Sequence, residues 1–237
     1  WEGRCASLVP AKWIDGWPII GEPDEKSIGH FVWSGKTPVG SAQIPALQTS
    51  DEFGEARLSP QWECNHQPRA EKWSLTERPG WLRLHGFRPL QPGDLRKAGN
   101  TLTQRSFRTT GNEVVVKFDL RGMADGQRAG LCHFAKDVSA IGVFQSGAIR
   151  TIQYEHSGKI TSGPEVKGIG LWVKSSWGLD GRSQYSFSLD GRSFTEFGEP
   201  YQLSWGNYRG DRIGLYSYNE REDAGYVDVD YFHYAYR

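Results

Sequence analysis

QYSFSLDGRSFTEF, residues 184–197, decides the fold class. Aromatic and polar residues alternate on both sides of Asp190-Gly191. That residue pair suits a type I′ turn, so the stretch predicts two strands joined in a tight hairpin. The same texture recurs in WLRLHG (81–86), EVVVKFDL (113–120), AGLCHFA (129–135), AIGVFQ (140–145), IRTIQYEH (149–156), LWVKSSW (171–177), RIGLYSY (212–218) and GYVDVDYFHYAY (225–236). No segment carries a sustained i, i+3, i+4, i+7 apolar pattern. Roughly ten to fourteen strands without helices imply two sheets packed face to face, a β-sandwich.

Composition narrows the function. The 237 residues carry 28 basic and 28 acidic side chains, so no charge excess points to nucleic acid or a membrane surface. No apolar run approaches the ~20 residues that span a bilayer as a helix. Ten Trp, ten Tyr and eleven Phe are rich for this length. Sugar rings present apolar C–H faces to such side chains, although a sheet-rich core uses aromatics too. Cys5, Cys64 and Cys132 form neither a disulfide framework nor a metal pattern, and a single Cys5–Cys64 bridge stays open. The first residue is Trp1, with no initiator Met or signal peptide ahead of it, so the chain reads as processed, excised or cloned as a fragment.

In the final stretch Val227 and Val229 fall on one face, with Asp228 and Asp230 on the other. Two carboxylates on one face repel unless they are solvated or bound to a cation. Asp51 and Glu52 open the first strand, and first and last strands of sandwiches often pair. Asp51 and Asp230 are therefore candidate ligands of a structural calcium, which needs six to eight oxygens. The competing reading makes the aspartates guards of an edge strand.

DEFGEARLSPQWECNHQPRAEKWSLTERPGWLRL (51–84), NTLTQR (100–105), AGLCHFAKDVSAIGV (129–143), SSWGLDGRSQYSFSLDG (175–191) and WGNYRGDRIGLY (205–216) resemble the C-terminal module of glycoside hydrolase family 43. The resemblance implies a concanavalin-A-like sandwich (jelly roll) over 51–237, of the kind appended to β-xylosidases and α-L-arabinofuranosidases. It also explains LVPAKWIDGWPIIG (8–21), which is similar to the closing segment of the family's catalytic β-propeller. Residues 1–21 are thus expected to be a propeller-tail-like segment. Residues 22–50, rich in Gly, Pro and Ser, are expected to be an extended linker. The family's inverting mechanism places a base Asp, an acid Glu and a third Asp on the propeller. Glycoside hydrolysis needs two carboxyl groups flanking the scissile bond, and no such set is read here.

The leading expectation is a non-catalytic module that binds xylan or arabinoxylan. In the loop 205–212, Trp205 or Tyr208 would stack a sugar ring, while Asn207, Arg209 and Asp211 would bond its hydroxyls. Asn65, His66 and Trp73 form a second candidate group, and Trp177, just before an Asp-Gly turn, a third. Each has a structural alternative: a hairpin turn, a loop pinned by Trp73, rim packing. His133 and His156 leave a lyase-type base open. The rival function is a piece of an active enzyme whose sandwich supports the propeller and helps close its active site. An extracellular setting follows from the substrate class alone.

Overall fold

Period-two alternation becomes two antiparallel sheets. The computed structural model describes residues 1–4, 6–30, 32, 34–36, 47, 49–206 and 208–237. One sheet has seven strands, in the order Lys159–Glu165, Ile149–His156, Val138–Ser146, Gln127–Phe134, Arg212–Asn219, Leu102–Arg105 and Glu63–Cys64. The other runs Thr195–Glu196, Arg182–Ser188, Gly170–Trp177, Asn112–Asp119, Tyr226–Tyr236, Leu82–His85 and Trp73–Ser74, with Tyr201–Gln202 also pairing with Arg182–Ser188. The helical pieces among the described residues are two three-residue 3-10 turns. This is the expected two-sheet sandwich.

Alternate residues of both sheets meet in the middle. Leu82, Leu84, Val114, Val116, Phe118, Leu171 and Val173 face Leu102, Leu131, Ile141, Ile152, Ile213 and Leu215 across one buried cluster. Each such side chain contributes about 1.5–3 kcal/mol on removal from water.

Alternation fails as a guide in the last strand. Val229 pairs with Phe118 and Tyr231 with Lys117, so Asp230 is the extra residue of a β-bulge. The bulge flips parity: Val227 and Val229 point inward before it, Phe232 and Tyr234 after it. Asp228 and Asp230 take no common partner: Lys117 bonds Asp230, while Arg78 and Arg83 bond Asp228. Asp228 lies instead beside Asp119, its register partner on the neighbouring strand. Arg78 Nη1 donates to both carboxylates, at 2.9 Å and 3.0 Å. Arg83 Nε reaches Asp228 at 2.7 Å and Arg121 Nη2 reaches Asp119 at 2.5 Å. The cation that two buried carboxylates require is a guanidinium of the chain itself.

The Asp190-Gly191 connection also differs from the tight turn expected. Register runs Phe187↔Thr195 and Ser186↔Glu196, leaving a longer loop between the strands. Asp190 Oδ1 accepts from the amides of Arg192 and Ser193, an alternative to strand pairing that widens the turn.

Outside the seven-stranded sheet, a second cluster of Leu95, Ala98, Cys132, Val138, Tyr216 and Tyr218 is buried. The segment around the turn Leu95–Lys97, capped by Asp94, lies over that face. Part of the sheet surface along which a polysaccharide could lie is thereby occupied.

The chain divides into two units, Trp1–Arg4 with Gln48–Arg237, and Cys5–Leu47. The first four residues thus belong with the sandwich. In the smaller unit, Ala11–Ile14 and Trp17–Ile20 form a hairpin about Asp15 and Gly16, both at positive φ. Residues 22–30, expected as linker, contain a short ladder of Glu22–Pro23 with Gly29–His30. Most of the remaining linker, and Cys5, lie outside the described residues. Trp13 and Trp17 are 76% and 73% exposed.

Candidate functional site

The loop 203–211 joins two strands and is fixed from three directions. From below, the buried Asp211 carboxylate accepts from Ser204 N at 3.3 Å, Tyr201 OH and Ser106 Oγ at 3.2 Å, and His133 Nδ1 at 2.7 Å. Within the loop, Arg209 N and Gly210 N donate to Gly206 O. From the chain start, Trp1 O accepts from Asp211 N at 2.7 Å and Arg4 N donates to Tyr208 O at 2.8 Å. Gly210 permits this approach: a Cβ there would stand 2.3 Å from Trp1 O. Tyr208 itself has φ +72°, rare for a bulky residue. The Arg4 guanidinium lies 4.0 Å over its ring.

His133 has the connectivity of a catalytic triad. Asp211 sets the tautomer with the proton on Nδ1, and Nε2 faces Ser175 Oγ at 2.9 Å and Ser183 Oγ at 3.1 Å. A hydroxyl, an imidazole and a carboxylate in that order serve acyl transfer on several folds. Here all four side chains are fully buried, and the rings of Trp177 and Tyr201 close on the imidazole at 5.1 Å and 5.6 Å. No substrate reaches them, nor can His133 act as a lyase base. The network is a satisfied polar core that holds the loop.

The sugar-binding candidates separate on this geometry. Trp205 and Tyr208 are 48% and 61% exposed. Arg209 is exposed and pairs with Glu63 at 3.2 Å. Asp211 is buried in the network just described and cannot bond a sugar. Trp177 is also core, its indole donating to Phe107 O at 2.9 Å. Asn65 Nδ2 donates to Arg96 O and Ala98 O, and His66 Nε2 to Arg96 O. Those side chains pin one loop to another. Trp73 packs its half-buried ring on the core. Asn207 lies outside the described residues.

The structure does bring the two candidate loops together. Asn65 and Arg209 line one cavity of ≈ 210 Å³ with Thr103, Phe134, Gly206 and Arg212. Sequence reasoning missed Arg212, Phe134 and Thr103, which sit on outward positions of the seven-stranded sheet. It also missed Arg4 and Trp1, whose role depends on a contact with residues some two hundred positions later.

The calcium candidates do not fit that ion. Asp51 does pair with the last strand, through reciprocal amide bonds with Phe232 at 2.9 Å. Its carboxylate, however, accepts from Phe53 N and Trp62 Nε1 at 2.8 Å. Asp230 takes Lys117 Nζ at 2.6 Å. Among the described residues no three His, Cys, Asp or Glu side chains gather around a point where a metal could sit.

Two stacked antiparallel sheets with a braced aromatic loop and a sealed histidine network define a β-sandwich domain. The chain belongs to the family of β-xylosidase C-terminal concanavalin A-like domains, whose model matches residues 50–235. It is 38% identical over 256 residues to a β-xylosidase of Formosa agariphila, an overlap covering 99% of this chain and 43% of that protein. It is 31% identical to a putative β-xylosidase of Xylanibacter ruminicola, covering 90% of this chain and 39% of that one. A solved GH43 glycoside hydrolase engineered for endo-xylanase and exo-arabinofuranosidase activity matches the whole chain at TM-score 0.79 and 25% identity, over 50% of its own length. The chain thus spans less than half the length of these curated relatives.

Proposed function

We propose that this chain is the C-terminal part of a xylan-processing family 43 hydrolase, a β-xylosidase or α-L-arabinofuranosidase. In this reading the sandwich is non-catalytic. It supports a catalytic propeller and presents Trp205 and Tyr208 at the rim of that domain's substrate cleft. The loop carries the reading: it is fixed by Asp211, by Gly206 and by Trp1–Arg4, yet its two rings stand in solvent. Rings ordered beforehand add contact area without a further ordering cost on binding.

Two observations support it. The alignment with the Formosa agariphila β-xylosidase runs along 99% of this chain but 43% of that protein. In the smaller unit Leu8, Trp13, Trp17 and Ile28 are each exposed, the two tryptophans on opposite faces of the hairpin. A propeller continuing from that hairpin would cover them. A free-standing xylan-binding module has less support, since Asp211 and Trp177 are buried and Asn65 and His66 are committed to backbone carbonyls. A secreted or cell-surface setting follows from the proposed substrate.

The test has two arms. The chain alone is expected to release nothing from an aryl β-xyloside and to give no saturating heat with xylotriose. In the longer enzyme, Trp205→Ala and Tyr208→Ala are expected to lower kcat/KM on xylo-oligosaccharides. Saturating heat with xylotriose that vanishes in those variants would establish the free-standing module instead.

A further inference from the structure

We infer that the groove between Arg69, Arg88 and Lys97 binds the acid group of a uronic acid branch on a xylan chain. The sugar rests on the family 43 reading, and the charge rests on the groove itself. Three separate segments bring basic residues to one place: Arg69 ahead of the turn Ala70–Lys72, Arg88 beyond the strand Leu82–His85, and Lys97 closing the turn Leu95–Lys97. With Phe87 and Gly99 they line a cavity of ≈ 60 Å³, and no carboxylate among the described residues lines it. Among the described residues the Arg69 guanidinium takes neither a hydrogen bond nor an ion pair. It lies 5.1 Å from the centroid of the buried Phe87 ring. The ring attracts the charge, while the fork that matches a carboxylate stays unbonded. Lys97 Nζ is unbonded too; it acts on Asp94 through space, but that carboxylate's hydrogen bonds go to Arg96. Arg88 has Asp223 at 3.9 Å, and Asp223 also holds Lys72 at 3.3 Å. Glu71, next to Lys72 in the chain, bonds none of them.

The backbones that bear these charges are held before a ligand arrives. Arg69 N donates to Asn100 Oδ1 and Asn100 Nδ2 donates to Arg69 O, both at 2.9 Å. Arg88 N donates to Asp223 Oδ1 at 3.0 Å, and Lys97 N to Asp94 O at 2.9 Å. The size of the cavity then selects what enters. It has room for a few waters, enough for a carboxylate and not for a sugar ring. The groove would hold the acid group and leave its ring and the xylan backbone outside. A neutral xylose unit offers these cations no charge, and the attraction, open to solvent, is one that salt screens. Xylan chains bearing uronic acid branches are therefore the substrate class that this surface would retain near the catalytic domain.

The test is an NMR titration of this chain, following the arginine Nε–Hε resonances, with glucuronate, glucuronosyl-xylotriose, xylotriose and inorganic phosphate. The expected result is a saturating shift at Arg69 and Arg88 with glucuronate and with the branched sugar. The two affinities should be similar, because only the acid group enters, and both should weaken as salt rises. Xylotriose should give no shift. Arg69→Gln and Lys97→Gln remove side chains without a polar partner, so each is expected to keep the melting temperature. Read at Arg88, each should weaken glucuronate binding about fivefold. No shift with either acid overturns the inference, as does unchanged affinity in both variants. Xylotriose binding as tightly as the branched sugar, or phosphate more tightly than glucuronate, overturns it too. Glucuronate bound with the branched sugar refused would overturn the assignment to xylan. None of these results touches the domain-support reading, which the activity of the longer enzyme decides separately.

Discussion

Replacing Asp211 by alanine removes the acceptor on which the loop and the core both depend. Four donors lose their partner: His133 Nδ1 at 2.7 Å, Tyr201 OH and Ser106 Oγ at 3.2 Å, and Ser204 N at 3.3 Å. Asp211, His133 and Ser106 are buried, so little water enters to compensate. Each buried donor left unsatisfied costs about 1–3 kcal/mol, so His133 and Ser106 together lose about 2–6 kcal/mol, and in a domain of this size each kcal/mol moves Tm by about 2–4 °C. The expected loss is therefore about 4–24 °C in a reversible melt. Hydrogen exchange should report where it falls, with the Ser204, Arg209 and Gly210 amides opening before the sheets. His133→Ala should cost a comparable amount. The double variant should lose less than the sum, by about 0.5–3 kcal/mol of coupling. A Tm for Asp211→Ala within the scatter of surface substitutions, about 0.5 kcal/mol, would refute the network as the anchor of the loop.

Three further outcomes follow from the same contacts. Burial pushes Asp119 upward, but Arg121 and Arg78 outweigh it and hold the carboxyl at about 2, below its ordinary value near 3.8. Its contribution is thus complete above pH about 4 and lost as pH falls toward about 2; a pH–Tm profile that Asp119→Asn leaves unchanged would contradict this. Chelation with EDTA is expected to leave Tm unaltered, since Asp51 and Asp230 are satisfied by Trp62, Phe53 and Lys117. A drop that calcium restores would reinstate the ion. Cys132 is fully buried, which raises its thiol pKa, so it should resist alkylation in the folded protein while labelling on unfolding, and prompt labelling at Cys132 itself, located by peptide mapping in the native chain, would count against the second buried cluster.

The fold was legible because period-two patterning reports burial directly. A residue such as Val116 or Leu131 is inward for one reason only, and its neighbours in sequence reveal it. The exceptions have local causes that patterning does not encode. A bulge at Asp230 adds one residue and reverses parity for the rest of the strand. At Asp190 the side chain bonds the backbone of Arg192 and Ser193 and replaces a two-residue turn by a longer loop. Both errors fell on aspartates, whose short carboxylates compete with the ladder for amide donors.

The site was legible by residue type and not by partner. Trp205, Tyr208 and Arg209 were singled out because an aromatic, polar loop between strands is visible in sequence, and all three are exposed there. Asp211, two residues beyond Arg209, looked equivalent and is not. The strand Arg212–Asn219 begins one residue later, and Asp211 already turns its carboxylate inward to His133. The alternation that places Leu131 in the core places His133 there too, and a buried imidazole requires an acceptor. Asp211 was therefore the residue to test against His133 rather than against a ligand. The same logic read outward identifies Arg212: next to an inward Asp211, it must face the outer surface, where Arg105 lies across from it.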